Sequence, residues 1–359
     1  MVTTLGEISR ESAKRFGDKT ALIIEDKSFS YKEIDAMACR VANGLKASGV
    51  RPGDRVTLYS ANCWEWAVSY HAIAKIGAVI NPINVMLTSD EVKYVVEDSG
   101  TTAVLGSADK AESLLDLKGN NELKEVVLFG DTVPTGATSF EEWLKSGTDT
   151  FEVAHRNRED LAAICYTSGT TGHPKGAMHS HHNILANAQG TAMMHVRTES
   201  DVMVNSLPLP HVYGSVVFNS GFMYGAKLVI VPRFEEEAVM SAIQQHRATI
   251  LDGVPTAYYF LLAHPKFDDY DLSTLTRSTV GGQTLPAAKS IEWEERVGTA
   301  VLELWGMTEL AGAATANPYY GDNKPGTIGL VYPGNEGKIV SAEDPTLDLK
   351  IGDEGEFMF

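Results

Sequence analysis

The feature that most restricts the fold is an alternation. Short apolar runs are followed by stretches whose apolar residues recur at helical spacing, and the pattern repeats along most of the 359 residues. From Tyr31 to Val50 the apolar positions are Ile34, Met37, Ala38, Val41 and Leu45. Ser30 and Glu33 have the spacing of a capping box that fixes the start of this helix, and Gly49 marks its end. A strand is expected at Val56–Tyr59, a helix at Glu65–Ile76, a strand at Ala78–Asn81, a helix after a second box at Thr88 and Glu91, and a strand at Ala103–Leu105. Such a rhythm reads as α/β: mainly parallel sheets wrapped by helices on both faces.

The stretch 106–158 is more polar and broken by Gly119, Gly130, Pro134, Gly136 and Gly147. A subdomain boundary is therefore placed near its end. After Glu159 the rhythm resumes, with strands expected at Ala162–Tyr166, Lys227–Val231, Thr249–Leu251, Ser278–Val280 and Val301–Leu304. Helices should start near Asn183, Glu235, Pro255 and Pro286. Beyond Gly326 only short β-like pieces remain. The expected organisation is two successive α/β subdomains, 1–158 and 159–326, and the start of a small, barrel-like β subdomain at 327–359. The last run, Glu356–Phe359, stops in mid-pattern like a cut chain.

A net charge of −17, from 30 basic and 47 acidic residues, argues against a nucleic-acid partner, which would need a basic face. It leaves room for a nucleotide held by local donors. Cys39, Cys63 and Cys165 are odd in number and in no metal-ligand spacing, as expected of buried thiols in a reducing compartment. The charged N-terminus has no signal-peptide core, and the least charged stretch, Gly214–Val231, is too polar to span a membrane. A cytoplasmic location is expected; oligomeric state is open.

Four segments carry chemistry. The first is YTSGTTGHPKG, Tyr166–Gly176, directly after an apolar run. Glycines let backbone N–H groups converge on oxyanions, hydroxyls donate further bonds and an ammonium neutralises charge, which suits a triphosphate. It is not a Walker A loop, because Lys175 follows Pro174 and precedes Gly176. The second is WGMTE, Trp305–Glu309, where a carboxylate at a strand's carboxyl end suits Mg²⁺. Alone, it reads rather as a core tryptophan and a solvated glutamate at a helix start. The third, GGQTLP (Gly281–Pro286), would let a flat base approach the backbone, or could be a plain turn with Thr284 as helix N-cap. The fourth is PLPHVYG, Pro208–Gly214, where His211 is either a core histidine or a site residue. His173, His179, His181 and His182 lie nearby but offer no second ligand pair, a poor pattern for zinc.

Together these segments, with SHHN at Ser180–Asn183, SYKEID at Ser30–Asp35 and GDEGE at Gly352–Glu356, resemble the adenylate-forming superfamily of acyl-CoA synthetases, luciferases and peptide-synthetase adenylation domains. His182 stands where the family usually has arginine. The resemblance implies that Thr167, Ser168, Gly169, Thr170, Thr171, Gly172 and Lys175 hold the β/γ-phosphates of ATP. It also implies that Gly281, Gly282 and Gln283 form an adenine wall, that Trp305 stacks on the base, that Thr308 lies near the α-phosphate and that Glu309 holds Mg²⁺. His211 would border the carboxylate pocket, as orienting group or gate. The implied reaction is attack of a carboxylate on ATP to give acyl-AMP and pyrophosphate, then thioester formation with coenzyme A. The segments 212–223, 253–258 and 310–314 contain no Asp, Arg or Lys, which favours a fatty or aromatic acid over an amino acid. No ribose-binding Tyr-x-Thr-Gly-Asp segment, hinge or small C-terminal domain follows GDEGE, so the chain is expected to be the large N-terminal domain alone, impaired in catalysis. A phosphate-loop NTPase and a non-catalytic nucleotide-binding module are the competing readings.

Overall fold

In a computed structural model, residues 2–118, 122–130, 132–167 and 173–359 are described. Among them the strands form two large sheets. The first runs, in spatial order, Thr138–Ser139, Glu125–Phe129, Thr101–Ser107, Arg55–Tyr59, Val79–Pro82, Leu161–Thr167 and Lys175–Ser180. Its only antiparallel pair is the last two strands. The second runs Leu330–Val331, Gly312–Ala316, Val301–Met307, Arg277–Val280, Ile250–Gly253, Val202–Asn205, Lys227–Ile230, Thr20–Ile24 and Lys27–Ser30. Its six inner strands, from Val301–Met307 to Thr20–Ile24, are parallel, and antiparallel strands close both edges. The expected architecture of two helix-wrapped, mainly parallel sheets is the one found.

Both capping boxes form as read. Ser30 accepts from the N–H of Glu33 at the head of the helix Tyr31–Ala47, and Thr88 does the same for Glu91 at Ser89–Ser99. Sheet membership, however, does not follow a break at residue 158. The strand Leu161–Thr167 pairs with Val79–Pro82 of the first sheet, while Thr20–Ile24 pairs with Lys227–Ile230 of the second. The polar stretch before that break also contributes structure. Glu125–Phe129 is a five-residue strand with four buried positions, too short to show periodicity, and Phe140–Ser146 is a helix capped by Ser139. After Gly326, Leu330–Val331 extends the second sheet, and Lys338–Val340 pairs with Glu356–Met358.

One apolar core spans both sheets, from Leu58 and Ile80 in the first to Leu22 and Leu228 in the second. The low-charge stretch near residue 214 is a buried helix, Val212–Tyr224, not a membrane element. No described helix is long and apolar enough to cross a bilayer. All three cysteines are free; Cys39 and Cys165 are buried, while Cys63 is only partly covered and caps the helix Trp64–Lys75 by accepting from the N–H of Trp66.

Three buried histidines give the fold a pH dependence. Burial pushes His71 and His195 down to about 3 and His181 to about 4, against about 6.5 unfolded. The unfolded chain therefore binds these protons first, and stability present above pH 6.5 is lost as pH falls towards 4. The expected slope is about 1.4 kcal/mol per pH unit for each histidine titrating in this way. Urea midpoints at pH 7.5, 6.0 and 5.0 check this, and His71→Leu should make the decline shallower.

Candidate functional site

In the second sheet, the chain passes from Val202–Asn205 to Lys227–Ile230 on one side, then crosses to Ile250–Gly253 on the other. The order of strands thus reverses around Val202–Asn205, and the carboxyl edge at such a reversal opens a crevice where α/β folds bind ligands. Four predicted segments leave the sheet at this edge. His211 follows Val202–Asn205, Val254 follows Ile250–Gly253, Gly281–Gln283 follow Arg277–Val280, and Thr308–Glu309 follow Val301–Met307.

Lys175 comes from the other sheet. It begins the strand Lys175–Ser180, and that strand meets the WGMTE turn through His179, whose Nε2–H donates to the carbonyl of Thr308 at 2.6 Å. His179 is buried, which lowers its pKa, and the neighbouring Glu309 carboxylate works in the opposite direction. Four residue steps of strand lead from Lys175 to His179, about 13 Å of chain. Lys175 and the Thr308–Glu309 turn therefore lie on one strand-length of surface. Both Lys175 and Glu309 are exposed, and neither side chain is hydrogen-bonded or ion-paired to a described residue. An unpaired ammonium and an unpaired carboxylate suit a phosphate chain and a divalent ion that takes its remaining ligands from phosphate and water. No cluster of three or more His, Cys, Asp or Glu among the described residues could form an all-protein metal cage.

Ser168, Gly169, Thr170, Thr171 and Gly172 lie outside the described residues. Their flanks rest on one face of the helix Ser89–Ser99. Tyr166 Oη donates to Asp98 at 2.6 Å, and the His173 ring stacks on Tyr94 with centroids 4.8 Å apart. Thr167 is half-buried and pairs with Lys175 across the hairpin.

The remaining residues are placed as follows. Trp305 is half-buried with its ring edge-on to Phe357, 5.2 Å between centroids. Gly306 is obligatory, since a Cβ there would lie 2.0 Å from the carbonyl oxygen of Gly312. Gly281 packs so closely that a Cβ would sit 2.4 Å from Leu304 and 3.3 Å from the Tyr213 ring. Gly282 and Gln283 are exposed. Thr284 is not a cap, because the helix begins at Ala287 after Pro286 and has no side-chain cap. His211 is the exposed N-cap of Val212–Tyr224; its Nδ1 accepts from the N–H of Tyr213 at 3.2 Å, which leaves the proton on Nε2. The surrounding walls still desolvate the ring enough to lower its pKa.

His173, His179, His181 and His182 do not converge. They face Tyr94, Thr308, the N–H of Leu5 and Arg158 respectively. Sequence reasoning missed three residues that hold the site's loops. His179 joins the sheets. Asn62 spans the proline loop, donating to Leu207 O at 2.9 Å and accepting from Leu209 N at 2.8 Å. Asn187 grips the segment after Glu309 through Leu310 O and both backbone groups of Ala313. Buried asparagines bonded only to distant backbone leave no local pattern, so no sequence signal marks them.

The tight approach at Gly306 makes a direct prediction. Gly306→Ala must push two strands apart, with an expected loss of roughly 1–3 kcal/mol, read as a lower urea midpoint.

The chain is 29% identical over 369 residues to a long-chain-fatty-acid–CoA ligase of Bacillus subtilis (strain 168), covering 95% of this chain and 66% of that one. It superposes on the anthranilate CoA ligase AuaEII in complex with anthranoyl-AMP with a TM-score of 0.93 at 29% identity, over 99% of this chain and 69% of the other. ATP-bound MatB from Rhodopseudomonas palustris gives 0.90 at 31% identity, over 99% and 70%. The chain thus spans about two thirds of the length of these relatives. The AMP-binding enzyme model matches residues 9–359, so the crevice described above is that of a chain belonging to the AMP-binding enzyme family.

Proposed function

We propose that this protein activates a carboxylic acid, fatty or aromatic, by adenylation: the carboxylate attacks the α-phosphorus of ATP, acyl-AMP forms and pyrophosphate leaves. The carrying observation is the His179–Thr308 bond, which brings the strand of Lys175 against the turn of Glu309. On this reading Lys175, Thr167 and the loop residues 168–172 hold the departing phosphates. Gly281, Gly282 and Gln283 border adenine, Trp305 offers it a flat face, and Thr308 faces the α-phosphate. His211, neutral and with its proton on Nε2, orients the acid. Glu309 would hold Mg²⁺, which neutralises phosphate charge when bound. The protein's share is placement of two anions and screening of the charge that develops between them.

In the longer form typical of the relatives, the acyl group then passes to the thiol of coenzyme A. A cytoplasmic setting, where ATP and coenzyme A are at hand, fits the three unpaired thiols. A phosphate-loop NTPase would instead yield ADP and phosphate, and a binding module would yield no product.

Carboxylate-dependent exchange of labelled pyrophosphate into ATP tests the reading, run across short, long and aromatic acids. Exchange with at least one acid class is expected, and ADP as the product would overturn it. Lys175→Ala should weaken ATP binding by about 10–100-fold, the range for losing a charged hydrogen bond. Its unfolding midpoint should stay put, because the side chain is exposed and unpartnered. Glu309→Gln should flatten the Mg²⁺ dependence of ATP binding measured by calorimetry.

A further inference from the structure

Glu309 sits in a turn with a strained exit. Thr308–Leu310 is a single 3₁₀ turn between the antiparallel strands Val301–Met307 and Gly312–Ala316, and Ala311, which closes it, has a φ of 58° in the left-handed region that alanine rarely adopts. Such a backbone persists only where its surroundings fix it. One continuous stretch of chain supplies the fixing. The Thr308 carbonyl accepts from the Ala311 N–H at 3.0 Å within the turn and from His179 Nε2–H at 2.6 Å outside it. Asn187 Nδ2 donates to the Leu310 carbonyl at 3.2 Å and to the Ala313 carbonyl at 2.7 Å, while its Oδ1 accepts from the Ala313 N–H at 3.1 Å. The carbonyls on either side of Glu309 are thus tied to two side chains of one segment.

That segment is stiff. His179 lies in the strand Lys175–Ser180, paired with Ala163. Ser180 and Asn183 form a capping box, Ser180 N–H to Asn183 Oδ1 and Asn183 N–H to Ser180 Oγ, so the strand runs into the helix His181–Met194 without a loop. We infer that His179 and Asn187 are positioning residues that bracket Glu309, so that Glu309 can serve a divalent cation and Lys175 a phosphate of the same nucleotide only while both ties are intact. This rests on the adenylation reading and adds to it the side chains that bring the two charges into register. Three physical points carry it. Both ties act on main chain and leave the carboxylate to a cation. Both side chains are buried, His179 at 1% exposure and Asn187 at 8%, so a broken tie strands a polar group away from water. Mg²⁺ also demands near-ideal octahedral geometry, so a small displacement of its carboxylate costs affinity.

The test is the affinity of the 359-residue protein for ATP, measured calorimetrically with saturating Mg²⁺ and again with EDTA. The ratio of the two affinities reads what Glu309 contributes through the metal; a general loosening of the site would weaken both and leave the ratio alone. His179→Leu and Asn187→Leu should each lower the ratio by about tenfold, the scale of one net hydrogen bond, since the cation must then hold the turn in place of the lost tie. His179→Gln, whose amide can donate to the Thr308 carbonyl, should restore most of it. Urea transitions check that the variants are folded, and His179→Asn, whose amide is too short to reach Thr308, serves if the leucine variants are not. A ratio of one in the unmodified protein, an unchanged ratio in the variants or no recovery with His179→Gln would overturn the inference and leave the nucleotide site standing. Failure of the unmodified protein to bind ATP under either condition would take down the adenylation reading itself.

Discussion

The contact on which the site depends is a single hydrogen bond across the two sheets, from the imidazole of His179 to the carbonyl of Thr308. Lys175 and Glu309 are 134 positions apart and belong to different sheets, so neither sheet alone brings this ammonium towards this carboxylate. The antiparallel strands Leu161–Thr167 and Lys175–Ser180 join the first sheet after most of that sheet is complete, and the second of them meets the Thr308 turn of the other sheet. Because His179 is buried, its N–H has no water to turn to, and releasing Thr308 would leave a donor stranded. The cost of leaving that bond unmade holds the strand Lys175–Ser180 against the turn that carries Glu309.

Beneath the crevice a second polar network fixes its floor. Arg197 and Asp252 are paired at 2.5 Å and both fully buried. Asp252 also accepts from Thr279, whose hydroxyl meets Tyr213 Oη at 2.7 Å, and Arg197 donates to Ser220. A buried ion pair of this kind gives little net stability, since desolvation cancels much of the attraction. What it does supply is orientation: Thr279 stands two residues before Gly281, and Tyr213 two after His211. The tie thus sets the height of the glycine turn relative to the first turn of the helix that begins at His211.

Much of this was legible in the sequence because the relevant signals are local. The capping boxes at Ser30 and Thr88, the apolar runs and the glycine turn at Gly281 each depend on a few neighbouring residues, and they fall where expected. What was not legible is non-local. Which sheet takes the strand Leu161–Thr167 is decided by its pairing with Val79–Pro82, far back in the chain, and a break drawn at residue 158 could not register it. Five-residue buried strands such as Glu125–Phe129 are too short for periodicity to speak. The roles of His179, Asn62 and Asn187 exist only once distant backbone has been brought to them.

The charge balance sharpens what the crevice must do. A protein carrying −17 repels a nucleotide triphosphate at long range, yet at physiological ionic strength that field fades over about 8 Å. Within that distance the local donors decide the outcome. Lys175 is exposed and has no carboxylate among the described residues to neutralise it, so its full charge is available to an arriving phosphate. Glu309, also exposed and unpaired among the described residues, would repel the same phosphate unless a cation stood between them. Two unpaired opposite charges about one strand-length apart gain little from each other across water. On the adenylation reading, a metal-bound phosphate chain lying across both would satisfy each charge, and the pair would favour the metal complex over the bare nucleotide.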